Sequence, residues 1–173
     1  MKKEIESLTF KELVAYSVVA ESVSRKAYLD FSEAAVGELQ KERFKSLAKD
    51  EGMHKRELEK IYKKEFGDED IEYPKGKELP PHEEEIDVRN SENLVKSLES
   101  ARKNEMNAYE IYKYLAKEKP MYKEIFEYLA VMEWGHYESL KSEIELYKGV
   151  LEERKDTNNL DPSEIWREYT GKV

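Results

Sequence analysis

The chain has 173 residues, 40% of them charged and 39% hydrophobic, with a net charge of -9 and no cysteine. That length fits one domain with a substantial core, and zero cysteine excludes disulfides, zinc ribbons, iron–sulfur clusters and any thiol nucleophile. The balance of 30 basic against 39 acidic residues argues against a surface that tracks nucleic-acid phosphates. The longest apolar stretch, Leu13 to Ala20, is too short to span a bilayer. A Met1-Lys2-Lys3-Glu4 start carries no signal-peptide core, so the expected setting is the cytoplasm, away from membranes. Dense Glu and Lys with a single glutamine, Gln40, leans toward the composition of heat-adapted proteins.

Helical spacing dominates the chain, and strand signals are absent. The first long helix is expected over about 9–35, opened by Thr9 and Glu12 at capping-box spacing and carrying Leu13, Val14, Val18 and Tyr28 before Gly37. A second is expected over 39–66. Between it and the third, residues 67–89 hold Pro74, Gly76, Pro80 and Pro81 among charges, too long for a hairpin turn and suited to a crossover along a bundle. The third helix, over 91–118, follows the capping pair Asn90-Ser91 and must end before Pro120. A fourth is expected over 121–153, and Asp161-Pro162-Ser163-Glu164 opens a short terminal helix over 162–169. The predicted fold is all-α, a single four-helix bundle spanning the chain.

The two halves repeat. Phe44, Leu47, Ala48, Glu51, His54 and Leu58 recur 82 residues later as Phe126, Leu129, Ala130, Glu133, His136 and Leu140. The preceding helices match too, with Glu21 and Tyr28 seven apart and Glu105 and Tyr112 likewise. The unit is a helical hairpin used twice.

Offsets of 3, 4 and 7 share one helix face, so Glu51 and His54 lie in the apolar stripe of their helix, and Glu133 and His136 in theirs. Glu21 aligns with Val14, Val18 and Tyr28, and Glu105 with Leu98, Ala101 and Tyr112. Four carboxylates and two imidazoles therefore point into one interior. Protonation alone would need large upward pKa shifts, whereas two divalent cations cancel the charge outright. A mixed oxygen and nitrogen set suits iron or manganese better than structural zinc. A lone Glu-x-x-His in so acidic a chain says little, but its duplication, using two of only three histidines, says much more. Tyr28 and Tyr112 either donate phenolic hydrogen bonds to ligating carboxylates or simply pack the core. Asp50 either orients a histidine across the bundle or is a surface aspartate. The third histidine, His82, falls in the loop beside the two prolines.

On Glu21, Glu51-Gly52-Met53-His54, Glu105 and Glu133-Trp134-Gly135-His136, the sequence resembles the ferritin-like di-iron carboxylate proteins, and among them the rubrerythrin-type domains. The resemblance covers about Thr9 to Tyr147. It implies two iron ions, with manganese the alternative, and it implies that Glu51 and Glu133 bridge them. Glu21 and Glu105 would be terminal carboxylates, and His54 and His136 the nitrogen ligands. The expected function is an oxidoreductase that reacts with peroxide or O2 using electrons from a separate donor protein. The competing expectations are ferritin-like ferroxidase and iron storage, or a non-catalytic bundle stabilised by metal. The terminal helix would equally well close a homodimer. Two departures bear on turnover. Rubrerythrins usually carry a further Glu three residues after the third-helix ligand, where this chain has Ala108; Glu110 sits about 140° around the helix from Glu105 and does not replace it. They also usually append a four-cysteine rubredoxin domain, which these residues do not include.

Overall fold

A computed structural model describes residues 2–35, 37–67, 70–82 and 91–155, the side chains of 91, 92 and 150–155 excepted. The expected terminal helix over 162–169 and the end of the 67–89 crossover lie outside the described residues. Five helices follow in order: α1 (Lys2–Ser7), α2 (Phe10–Ala34), α3 (Glu38–Phe66), α4 (Ser91–Glu118) and α5 (Lys123–Lys155). Among the described residues there is no strand, and the protein is an all-α, ferritin-like bundle. None of the described helices is long and apolar enough to cross a membrane.

Local chemistry sets the boundaries. Thr9 Oγ1 accepts from the Glu12 backbone N–H while the Thr9 N–H donates to Glu12 Oε2 at 2.9 Å, closing the capping box. Glu12 also meets Lys77 Nζ at 2.7 Å, and that partner together with the Thr9 cap holds its carboxyl down at about 2. Gly67 ends α3 at φ 84°, a left-handed backbone that glycine adopts without a Cβ clash, and its N–H returns to the Lys63 carbonyl at 2.9 Å. Pro120 opens a 3-10 turn over Pro120–Tyr122 ahead of α5, so the fourth long helix starts two residues later than its pattern suggests. The short α1 is an addition to the expected elements; its Ile5 is buried in the core.

Helix α2 packs along α3 and α4 along α5, giving two hairpins, while α2 and α4 meet over a shorter stretch. The core divides into two apolar clusters. One holds Leu13, Val14, Leu58, Ile111, Leu115 and Phe126. The other holds Tyr28, Phe31, Phe44, Leu98, Leu140 and Ile144. Along α2 the chain passes from the first cluster to the second, along α3 back again, along α4 from second to first, and along α5 forward. Helices α3 and α4 are therefore parallel, and the link between them must travel the bundle's length, about 43 Å for the 29 residues of α3. Between the clusters, on every long helix, sits one glutamate.

Thr9→Ala should lower stability by about 1 kcal/mol. Urea unfolding should show an earlier midpoint with an unchanged slope, because the cap is local and the buried surface is the same.

Candidate metal centre

Glu21 of α2, Glu51 and His54 of α3, Glu105 of α4, and Glu133 and His136 of α5 occupy one layer between the apolar clusters. All are buried, with exposures from 0% at His54 to 4% at His136. Each is placed by the register that puts Val18, Ala48, Ala101 and Ala130 on the same buried faces.

The contacts are reciprocal between hairpins. His54 Nδ1 of α3 lies 2.7 Å from Glu133 Oε1 of α5, and His136 Nδ1 of α5 lies 2.8 Å from Glu51 Oε1 of α3. His54 Nδ1 is also 3.7 Å from Glu21 Oε2, and His136 Nδ1 is 3.3 Å from Glu105 Oε2. The imidazole planes stack at 5.5 Å between centroids. The phenols cross in the same way, Tyr28 of α2 donating to Glu105 of α4 and Tyr112 of α4 donating to Glu21 of α2. Asp50 stands on the side of His136 away from the carboxylates, its Oδ2 3.6 Å from Nε2, beyond hydrogen-bond length.

Six buried groups with this much formal charge do not satisfy one another. Both nitrogens of His54 and His136, together with Glu51 Oε1, Glu105 Oε2 and Glu133 Oε1, are buried without an aligned hydrogen bond, although the nitrogens lie 2.7 and 2.8 Å from carboxylate oxygens. Lone pairs that converge at such distances without hydrogen-bond alignment are the signature of donors arranged for a cation. Ligand atoms of Glu51, His54, Glu133 and His136 all lie within 4.8 Å of one another, so this group is able to hold a metal ion. Glu21 and Glu105 flank it and turn their free oxygens toward the same two histidines.

Burial raises Glu51 and Glu133 well above the usual carboxylate range, and the neighbouring carboxylates raise them further. Burial also acts to raise Glu21 and Glu105. In these two it is outweighed, for Glu21 by contacts with Glu51, His54 and Tyr112, and for Glu105 by contacts with Glu133, His136 and Tyr28, which hold it at about 2. Both histidines are raised despite burial, because carboxylates surround them. The phenols of Tyr28 and Tyr112 are pushed up by burial and by adjacent carboxylates, and so remain protonated donors. Two carboxylates are thus shifted toward the protonated form and two away from it, the direction expected of crowded acids that share one site.

A helical bundle carrying buried carboxylates and histidines at the middle of its core defines the ferritin-like class, with a group of side chains able to hold a metal ion. A model of the Rubrerythrin family matches residues 12–144, and the chain belongs to that family, whose members bind iron. Among solved structures it is similar to a hypothetical protein from Pyrococcus furiosus, with 27% identity over 85% of this chain and 95% of that one and a TM-score of 0.73. An uncharacterized conserved protein from Magnetospirillum magnetotacticum MS-1 shares 21% identity over 80% of this chain and 95% of that one, with a TM-score of 0.54, a likeness of fold alone. None of the curated proteins compared with the chain matches it.

The two Glu-x-x-His motifs pointed to Glu51, His54, Glu133 and His136, and the matching seven-residue Glu–Tyr pairs on the preceding helices pointed to Glu21, Glu105 and the phenols. The spacing did not reveal that each phenol serves the carboxylate of the other hairpin. Nor did it show that loop residues approach the site: Glu21, Glu51, Glu105 and Glu133 share a small cavity with His82, which no periodicity connects to them.

Metal and protons compete for this layer, and each gives a measurable outcome. Tyr28→Phe or Tyr112→Phe should weaken metal binding by roughly 10–100-fold, the usual loss when a ligand's own hydrogen-bond partner is removed, as read by titration of the metal-free protein with cobalt(II). In the metal-free chain Glu51 and Glu133 keep protons that the unfolded chain releases above the ordinary value of 4.5, so stability falls as pH rises from there through their raised values. His54 and His136, raised above 6.5, lose their contribution in the same direction at still higher pH. Glu21 and Glu105, being lowered, act oppositely, and their contribution is lost as pH falls below 4.5, for Glu105 towards about 2. The metal-free melting temperature should therefore be higher at about pH 5 than at about pH 8, and a divalent ion should abolish that decline by replacing the protons. Equal melting temperatures at the two pH values without metal would contradict this division of protons among the four carboxylates.

Proposed function

We propose that the chain is a di-iron oxidoreductase of the rubrerythrin type, reacting with peroxide or O2 and drawing electrons from a separate donor protein. The observation that carries this reading is the convergence of four buried carboxylates and two imidazoles, one glutamate from each long helix, with nitrogen and oxygen lone pairs left unmatched. Such a donor set fits iron, with manganese the alternative. When bound, a ferrous pair supplies two electrons at one place, the number needed to cleave the O–O bond of peroxide.

The residues divide the work. Glu51 and Glu133 come from opposite hairpins, and each contacts the histidine of the other; these two would be the carboxylates shared between the ions. Glu21 and Glu105 would be the terminal ligands, each with one oxygen held by a phenol and the other turned toward a histidine of the centre. His54 and His136 present Nδ1 inward. The apolar clusters above and below exclude water, which strengthens every charge interaction within the layer. No thiol is present in these 173 residues, so electrons for a second turnover come from outside the chain.

The test mixes reduced, iron-loaded protein with excess hydrogen peroxide, with and without a rubredoxin-type donor, following metal oxidation and peroxide loss. One rapid oxidation event is expected, using one peroxide per pair of metals, followed by turnover that depends on the donor. Rapid consumption without a donor would point instead to disproportionation. An absence of metal oxidation in either condition would overturn the oxidoreductase reading and leave iron storage or a structural metal.

A further inference from the structure

The walls of the centre are unequal. Within each hairpin the helices pack along their whole length, whereas the hairpins meet each other over shorter stretches, α2 with α4 among them; beside the centre the α2–α4 seam carries the small Ser17, Ala20, Ser24 and Ala108 among larger neighbours such as Asn104 and Ile111. Small side chains at such a seam leave a passage between solvent and the carboxylates unless something covers it.

The crossover covers it. The buried Tyr16 of α2 donates its Oη to the Pro80 carbonyl at 3.0 Å, and Asn107 Nδ2 of α4 donates to the Pro81 carbonyl at 2.7 Å. Consecutive carbonyls are thus tied to opposite helices, one on each side of the seam. Neither proline has an N–H to satisfy, so the backbone crosses the seam without presenting donors to the apolar surface beneath. Leu79 packs against the core cluster below, and the Tyr16 ring lies 5.9 Å from that of Tyr73. Burial pushes the Tyr16 phenol up, so it stays a donor at any ordinary pH.

His82, the next residue, borders two small cavities. One reaches Glu21, Glu51, Glu105 and Glu133; the other lies beside Tyr28 and Ala101. Each leaves about 10 Å³ for the centre of a water-sized molecule, room for one small molecule and no more. Because it borders both, the His82 side chain stands where a molecule passing the strap would reach the carboxylates.

We infer that the Leu79–His82 segment, strapped across the α2–α4 seam by Tyr16 and Asn107, is a size filter with His82 at its entrance, admitting oxidants of two or three heavy atoms and excluding organic hydroperoxides. The inference rests on the reading of the centre as one that meets an oxidant. It concerns entry and not the reaction, so the two are separable by experiment.

The probe is the cobalt(II)-loaded protein, since cobalt(II) accepts the same nitrogen and oxygen donors and its visible spectrum responds to an added ligand. Azide and benzoate, both anions but differing by an aromatic ring, are titrated into wild type, His82→Ala and the double variant Tyr16→Phe/Asn107→Ala, with melting temperatures recorded for each. Azide should perturb the wild-type spectrum and benzoate should not. In both variants azide affinity should stay within about threefold, while benzoate should gain at least tenfold over the wild-type limit. Tyr16→Phe alone keeps the ring and provides a milder opening should the double variant melt early. Benzoate binding to wild type as readily as azide, unchanged selectivity in all the variants, or no response to azide anywhere would overturn the filter. A parallel arm compares hydrogen peroxide with cumene hydroperoxide on the ferrous protein. If neither oxidises the metal while the cobalt titrations show the size selectivity, the proposed reaction fails and the filter stands.

Discussion

The structure is organised around the cost of placing four carboxylates in one dry layer. A single ionised carboxylate in such surroundings is strongly disfavoured, and four in mutual contact repel as well. Two protonated imidazoles offset at most half of that charge, and contacts with the neighbouring carboxylates and histidines, with the phenols added, lower Glu21 and Glu105 toward the ionised form. The remainder falls on Glu51 and Glu133, which therefore hold protons in the metal-free chain. Cations would be the other solution, and among the described residues no helix compensates its glutamate with a lysine or arginine inside the layer. The apolar clusters on either side make the arrangement rigid enough to persist: Leu58, Leu98, Phe126, Leu129 and Leu140 are wholly buried around it.

Duplication supplies the second level of order. Because the same hairpin is used twice, each contact in the layer has a partner related by exchange of hairpins, His54 with Glu133 and His136 with Glu51, Tyr28 with Glu105 and Tyr112 with Glu21. The symmetry fails one residue outside the layer in an informative way. Gly52 lies beneath the Arg25 side chain, where an added Cβ would approach Nε to 3.3 Å. At the matching positions stand Trp134 and Tyr109, whose rings pack at 5.5 Å. The same inter-helix space is filled by arginine over glycine in one copy and by two aromatic rings in the other. The two solutions are not interchangeable position by position, since a tryptophan at 52 would meet the guanidinium. The halves thus differ on the outer surface while the ligand layer stays paired.

The legibility of the sequence follows the range of the interactions. Thr9 and Glu12 announce the start of α2 because a capping box is a contact within four residues, and the ligand layer is readable because helical registry is a local rule applied four times. The position of α4 follows similarly from the stop at Pro120. Contacts without a period leave no such trace. Tyr16 and Pro80 are 64 residues apart, and nothing in Leu79-Pro80-Pro81-His82 distinguishes a strand of chain lying over a metal centre from an exposed proline-rich loop. The Arg43–Glu143 ion pair that joins α3 to α5 over the second cluster is equally silent in sequence, as charged pairs 100 residues apart are indistinguishable from the many solvated ones of so charged a chain. The short α1 escaped notice because six residues carry too little periodicity to separate a helix from a tail.

Topology connects these levels. Two identical hairpins that both direct glutamates into one layer must run so that α3 and α4 are parallel, and parallel neighbours need a long return. That return has to lie on some face of the bundle. The faces within each hairpin are closed by full-length packing, whereas the hairpins meet each other over shorter stretches, and it is at one of these, the seam between α2 and α4, that Tyr16 and Asn107 hold the crossover. A segment that the duplicated design requires only as a connection therefore lies over a seam between the hairpins beside the centre. The crossover does not repeat between the halves, and so it is free to differ in sequence from one such protein to another without disturbing the paired ligands.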